Sequence, residues 1–240
     1  MVKLEKNNKV AILTLNSPPE NKLLKPEFID KDELEKFITG NEIKCLIIKG
    51  EGRHFSAGAD IESIKQQLKD NTLPQKLNQG KELLSYIYNL DIPVIAAIGG
   101  VCFGGGLEIA LSAHIRVISE KAMLAFPESM HNLMPGLSGS YAIKKHLTLG
   151  QSIEMMLCGD IVTAEKAMKL GLVDYVCSAK TTFEFSMQLA TKMTNDKPLK
   201  VINHIMKALK NAYIMEKQEA LQKETELFCE LAKNLNSDGV

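Results

Sequence analysis

Residues 92–113 read IPVIAAIGGVCFGGGLEIALSA, and this stretch decides the fold class. Its first part, Ile92–Gly100, is the most apolar run in the chain and predicts a buried strand. Three glycines, Gly104–Gly106, interrupt the run, and Leu107–Ala113 then predicts a helix. Upstream, CLIIKG (Cys45–Gly50) predicts a second buried strand, again followed by a glycine-containing loop, RHFSAGAD (Arg53–Asp60), and a helix from Ile61 to about Leu68. Strand, glycine loop and helix recur, which is the grammar of an α/β protein.

The remaining elements extend this pattern. VAILTLN (Val10–Asn16) alternates and predicts a strand, and Asp30–Ile38 predicts a short helix with Asp30 as its N-cap. A helix runs from about Gln75 to Leu90 after a break at Asn71-Thr72. Downstream, Arg116–Ser119 and Met123–Phe126 predict strands, the second stopped by Pro127. Helices over Leu137–Leu147 and Gln151–Gly159 are expected to end at Gly150 and Gly159. Thr163 caps a short helix that stops before Gly171, and LVDYV (Leu172–Val176) predicts the last strand. From Thr182 the strand signals vanish. Leu199, Ile202, Met206, Leu209 and Tyr213 mark one face of a helix. The expected division is an α/β core over residues 1–180 and a helical region over 181–240, with no linker between them.

Composition excludes several classes of function. Lys plus Arg and Asp plus Glu both number 29, so the net charge is zero and nothing favours nucleic acid or an anionic membrane surface. No apolar run is long enough to span a bilayer, and MVKLEKNNKV has no apolar core of a secretory signal. Cys45, Cys102, Cys158, Cys177 and Cys229 are scattered and odd in number, which argues against zinc and against a disulfide framework. A cytoplasmic location is expected. The histidines stand alone without metal-ligand spacing. Gly136-Leu137-Ser138-Gly139-Ser140 falls one residue short of a nucleophile elbow and lacks the preceding buried strand, so a serine hydrolase is not expected.

The chemistry lies in three places: Ser56–Asp60, Gly104–Glu108 and Pro127-Glu128. Amides at a helix N-terminus lack partners and sit at the positive end of the helix dipole. Glycine lets a ligand come close to them. Two such loops facing each other would make a two-donor oxyanion hole. Glu108 lies in the first turn of an apolar helix, where apolar surroundings would raise its pKa for acid/base work and the helix dipole would instead stabilise its anion. Glu128 follows a proline at a strand end. Two carboxylates at one site would form a general acid/base pair.

Four segments, HFSAGAD (His54–Asp60), PVIAAIGGVCFGGGLEIALSAHIRV (Pro93–Val117), AFPESMHNLMPGLSGS (Ala125–Ser140) and GDIVTAEKAMKLGLVDYV (Gly159–Val176), resemble in order and spacing the enoyl-CoA hydratase/isomerase (crotonase) superfamily. The resemblance implies a spiral of ββα units with a helical C-terminal trimerisation region, as a homotrimer or a hexamer. It implies an acyl-CoA thioester substrate, with an acyl-carrier protein as the other carrier, and no metal or redox cofactor. The backbone N–H groups of Ala59 and Gly105 resemble the oxyanion donors. Glu108 and Glu128 match the two catalytic glutamates of the hydratase branch, which add water across the 2,3 double bond of an enoyl thioester. Asn21, Lys22, Leu23, Ala57, Gly58, Asp60, Ile61 and Gly104 fall at positions that contact substrate or CoA. The alternatives are an isomerase or decarboxylase of the same superfamily, or a non-catalytic acyl-CoA-binding member.

Three features depart from the family pattern. The usual L-G-x-x-P-G reads His131-Asn132-Leu133-Met134-Pro135-Gly136, with Asn for Gly beside Glu128. His114 stands where Asp is usual and is expected to be structural. The sequence runs to Ser237-Asp238-Gly239-Val240 without the A-F-x-E-K-R segment that supplies a Phe and a Lys to CoA, which leaves room for a carrier-protein substrate.

Overall fold

In the computed structural model, which describes residues 2–233, the apolar runs become neighbours in one sheet. The chain forms β1 (Val2–Asn7), β2 (Val10–Leu15), α1 (Lys31–Gly40), β3 (Cys45–Gly50), α2 (Ile61–Lys69), α3 (Leu73–Tyr88), β4 (Val94–Ile98), β5 (Val101–Phe103) and α4 (Gly105–Ser112). It continues with β6 (Ile115–Ser119), β7 (Met123–Ala125), a 3-10 turn at Glu128–His131, α5 (Gly139–Ile143), α6 (Leu149–Cys158), β8 (Val162–Thr163), α7 (Ala164–Lys169) and β9 (Tyr175–Cys177). Three helices follow: α8 (Thr182–Thr194), α9 (Leu199–Ile214) and α10 (Lys217–Ala232). The tail at Ser237–Val240 lies outside the described residues.

The main sheet has the order β1-β2-β3-β4-β6-β9 and is parallel except where β1 meets β2. Parallel strands are covered on both faces, which is why β3 and β4 are apolar without alternation. Adjacent residues face opposite ways. Leu46, Ile48, Ala96 and Ile98 enter the larger core with α3 and α4, and Cys45, Ile47, Ile95, Ala97 and Val117 enter a smaller one with Ala190 of α8. Burying an isoleucine is worth about 1.5–3 kcal/mol. That exceeds any helix-propensity difference short of proline, so packing decides where α8 lies. A second sheet, β5-β7-β8, holds β5, which leads into the glycine run, and β7, whose Ala125 carbonyl accepts from the Gly104 N–H.

Several boundaries differ from expectation. β1 precedes the first strand that the sequence predicts; its inner residues Val2 and Leu4 pack on the core while Lys3, Glu5 and Lys6 are exposed, so the segment carries no apolar run. Asp30 caps α1 as expected, accepting from the Glu33 N–H. α4 begins at Gly105, two residues early, because it is a fully buried helix set by packing. Gly150 does not end a helix; it lies in the first turn of α6, and α5 is five residues long. Gly159 does end α6, in the left-handed conformation. Among the described residues no helix is long and apolar enough to cross a membrane.

Candidate active site

The two glycine loops meet. Gly58 (φ +89°) and Gly104 (φ +50°) have backbone angles that side chains disfavour. A methyl group placed on Gly58 would lie 2.8 Å from the Phe103 carbonyl oxygen and 3.4 Å from the Gly105 nitrogen. One placed on Gly105 would lie 3.8 Å from the Ala59 nitrogen. The amides of Ala59 and Gly105 are therefore side by side. Among the described residues neither donates a hydrogen bond, and the Gly105 amide is the N-terminus of α4. Ser56, which the sequence reading left without a role, holds the arrangement. It is fully buried, donates through Oγ to the Asn21 carbonyl at 2.8 Å and accepts from the Gly58 N–H at 3.1 Å.

Glu108 projects from the first turn of α4 and is 2% exposed. Its Oε1 accepts from the Leu137 N–H at 2.7 Å and the Gly139 N–H at 2.6 Å. Burial pushes its pKa up to about 7, the two amides pull it back, and the charge of Glu128 adds to the rise. The segment that donates these amides is the same Gly136–Ser140 stretch that resembles a nucleophile elbow. Ser138 sits at φ +89° with Leu137 and Gly139 on either side, so the bend points both N–H groups at one oxygen. A methyl on Gly139 would come within 3.0 Å of that oxygen, which explains the glycine. No local pattern announces this contact, because its partners are about thirty residues apart.

Glu128 opens the 3-10 turn after Pro127. A methyl on Gly104 would lie 2.7 Å from its Oε1, so the carboxylate rests against the glycine run, one residue from the Gly105 amide. Its Oε2 is buried with no hydrogen-bond partner. Burial raises its pKa as well. An unpaired buried carboxylate oxygen costs several kcal/mol when charged, so it calls for a proton or for a donor brought by a bound molecule. Asn132, the departure from the family pattern, adopts φ +57°. Asparagine is the side chain best suited to that conformation, so the turn survives the change from Gly. Met130, Leu133 and Met134 form an exposed apolar rim beside it.

The remaining expected contacts divide. Leu23 lies alongside Ala59: its N–H donates to the Gly58 carbonyl and its carbonyl accepts from Asp60. Ala57 is tied to the Glu20 carbonyl. Asp60 caps α2 by accepting from the Ser63 N–H and hydroxyl, which lowers its pKa, and Ile61 is the first residue of that helix. Asn21 is buried, and its side chain is spent on the backbone of Ser17, Glu51 and His54. Lys22 is on the surface, paired with Glu20 at 2.9 Å. The ring of His114 accepts from the Val94 N–H and meets the Tyr88 carbonyl, and burial lowers its pKa, so it is a neutral strut.

A family model described as enoyl-CoA hydratase/isomerase matches residues 5–238. The chain belongs to that family. It is 31% identical over 232 residues to the 2,3-dehydroadipyl-CoA hydratase of Escherichia coli (strain K12), covering 95% of this chain and 89% of that protein. It is 34% identical over 192 residues to a probable enoyl-CoA hydratase of Bacillus subtilis (strain 168), covering 79% and 74%. The crystal structure of an enoyl-CoA hydratase from Polaromonas sp. JS666 superposes with a TM-score of 0.87 at 24% identity, covering 95% of this chain and 90% of that one. The fold of this family member is thus the crotonase fold.

Proposed function

We propose that the chain is an enoyl-CoA hydratase that adds water across the 2,3 double bond of a 2-enoyl thioester. One observation carries the reading: a buried and a half-buried carboxylate, both of raised proton affinity, stand beside two unspent peptide N–H groups. The thioester oxygen accepts from Ala59 and Gly105, which stabilise the negative charge that grows there as Cβ is attacked. A water molecule lies between the glutamates. Glu108 has two amide donors for its anion, so it is the base: it takes a proton as the water oxygen bonds to Cβ. Glu128 has no donor for Oε2, so it is the acid: it delivers a proton to Cα as the enolate collapses. A proton then returns from Glu108 to Glu128 through solvent. Every step uses a carboxylate or a backbone amide, so the reading calls on no metal or redox cofactor. CoA is the carrier that the family and both relatives suggest, and the Leu23 backbone beside Ala59 is where its chain would approach. The exposed stripe Leu149, Ile153 and Leu157 on α6 is the face we assign to contact between copies in a homotrimer; sedimentation at the mass of one chain would overturn that assignment.

The test is the ultraviolet absorbance of crotonyl-CoA, which falls when its double bond is hydrated, read together with the product mass. The reading predicts loss of absorbance and a gain of one water. Absorbance that persists, or a product of unchanged mass, would turn the assignment toward isomerisation.

A further inference from the structure

We infer that Leu137 limits the length of the acyl chain, so that the substrates are short-chain 2-enoyl thioesters. The inference rests on the thioester reading above and adds the dimension of the acyl pocket. Leu137 touches both halves of the site. Its N–H bonds Glu108, and its Cδ1 lies 3.9 Å from where a methyl on Gly105 would sit, beside an oxyanion donor. Its Cδ2 points the other way and lies 2.7 Å from where a methyl on Gly80, inside α3, would sit. Pro26 closes on the same point of Gly80 from a distance of 2.8 Å. The leucine therefore fills the gap between the reacting atoms and the backbone of a helix, and Gly80 is what makes room for it.

A bound thioester has its carbonyl on the two amides and its Cβ next to Glu108. Carbons beyond Cβ then run into the side chain of the residue whose amide holds that same glutamate. The flanks are closed too. Leu23 Cδ1 lies 3.1 Å from the methyl position on Gly105, and Leu77 Cδ2 lies 3.2 Å from that on Gly136. Leu137 is 6% exposed and backed by helix, so it cannot swing aside without displacing packed atoms. A single surplus methylene in a filled apolar pocket is worth about 10–200-fold in discrimination.

The experiment is calorimetric binding of butyryl-CoA and decanoyl-CoA, saturated ligands that no hydratase can consume, to the wild-type protein and to Leu137→Ala. The wild type is expected to bind butyryl-CoA at least ~10-fold more tightly than decanoyl-CoA, and Leu137→Ala to abolish or reverse that ratio. Leu137→Val, a smaller truncation, is expected to shift the ratio the same way and serves if the alanine variant does not fold. Equal or tighter binding of decanoyl-CoA by the wild type would overturn the inference and send the chain out past Met130–Met134. An unchanged ratio in both variants would overturn it as well. A short-chain preference in a protein that hydrates nothing would sink the hydratase reading and leave the inference standing, whereas failure to bind either ligand would sink both.

Discussion

The segments Gly104–Glu108 and Pro127–Ser140 each bring a glutamate to the same site, by opposite means. The first is a buried helix start: every residue of α4 is buried, its direction is set by β5, and Gly104 is tied to Ala125 through its amide. The second is irregular, carries two left-handed non-glycine residues, Asn132 and Ser138, and exposes Met130, Leu133 and Met134. The buried side supplies the unspent donor at Gly105 and a glutamate whose own oxygen is already held. The irregular side supplies the donors that hold it, and a glutamate with an oxygen unheld. Burial raises the proton affinity of both carboxylates, but only the Glu108 anion finds two amide donors from the facing segment while Glu128 Oε2 has none, and on that difference the proposed roles of base and acid rest.

The contrast can be broken most forcefully at Gly105. Gly105→Pro removes one oxyanion donor at a helix position that accepts proline, and should raise the barrier by about 2.7–4 kcal/mol. Gly105→Ala meets the same contact with Leu23 but keeps the N–H. If kcat falls equally in both, the loss is steric and the amide is not a donor.

Next in size is a pH effect on stability. Burial makes folded Glu108 hold its proton up to about pH 7, whereas the unfolded chain releases it near the ordinary glutamate value. Between those limits the folded state binds more protons than the unfolded one, so stability falls as pH rises. The full difference is on the order of 3 kcal/mol. Urea titrations at about pH 5 and about pH 8 should therefore show a steeper decline for the wild type than for Glu108→Gln. Parallel declines would mean that Glu108 is not perturbed by its burial.

The smallest effect falls on the irregular side. Ser138 at φ +89° bears a left-handed cost of about 1–2 kcal/mol, and glycine would add back about 0.4–1 kcal/mol through the unfolded chain. Ser138→Gly should thus gain about 0.5–1 kcal/mol in thermal stability with kcat retained. A loss of activity comparable to that of Gly105→Pro would show that the serine side chain, and not only its backbone bend, serves the site.

The same contrast explains what could be read from sequence. β3, β4 and α4 were legible because apolar runs broken by glycine are local signals, and Glu108 was found because it sits at a fixed offset from Gly104–Gly106. The meeting of Gly58 with Gly105 was implied by the family resemblance alone, since sheet order brings it about and no spacing encodes it. Leu137 and Gly139 stayed hidden because their service to Glu108 comes from backbone amides, whose direction depends on a bend at Ser138 that helix periodicity over Leu137–Leu147 masked. β1 was hidden by its outward charges.

Glu108 and Glu128 are proposed to act as one unit on one bound thioester. The most direct measurement is kcat on crotonyl-CoA for Glu108→Gln, Glu128→Gln and the double variant, with the fold of each checked by circular dichroism. Groups that act together lose their joint contribution once either is removed. Each single change is expected to lower kcat by about 10²–10⁴-fold, and the double variant to be no slower than the slower single one by more than a few-fold. Losses that multiply in the double variant, or a single variant as fast as the wild type, would contradict it.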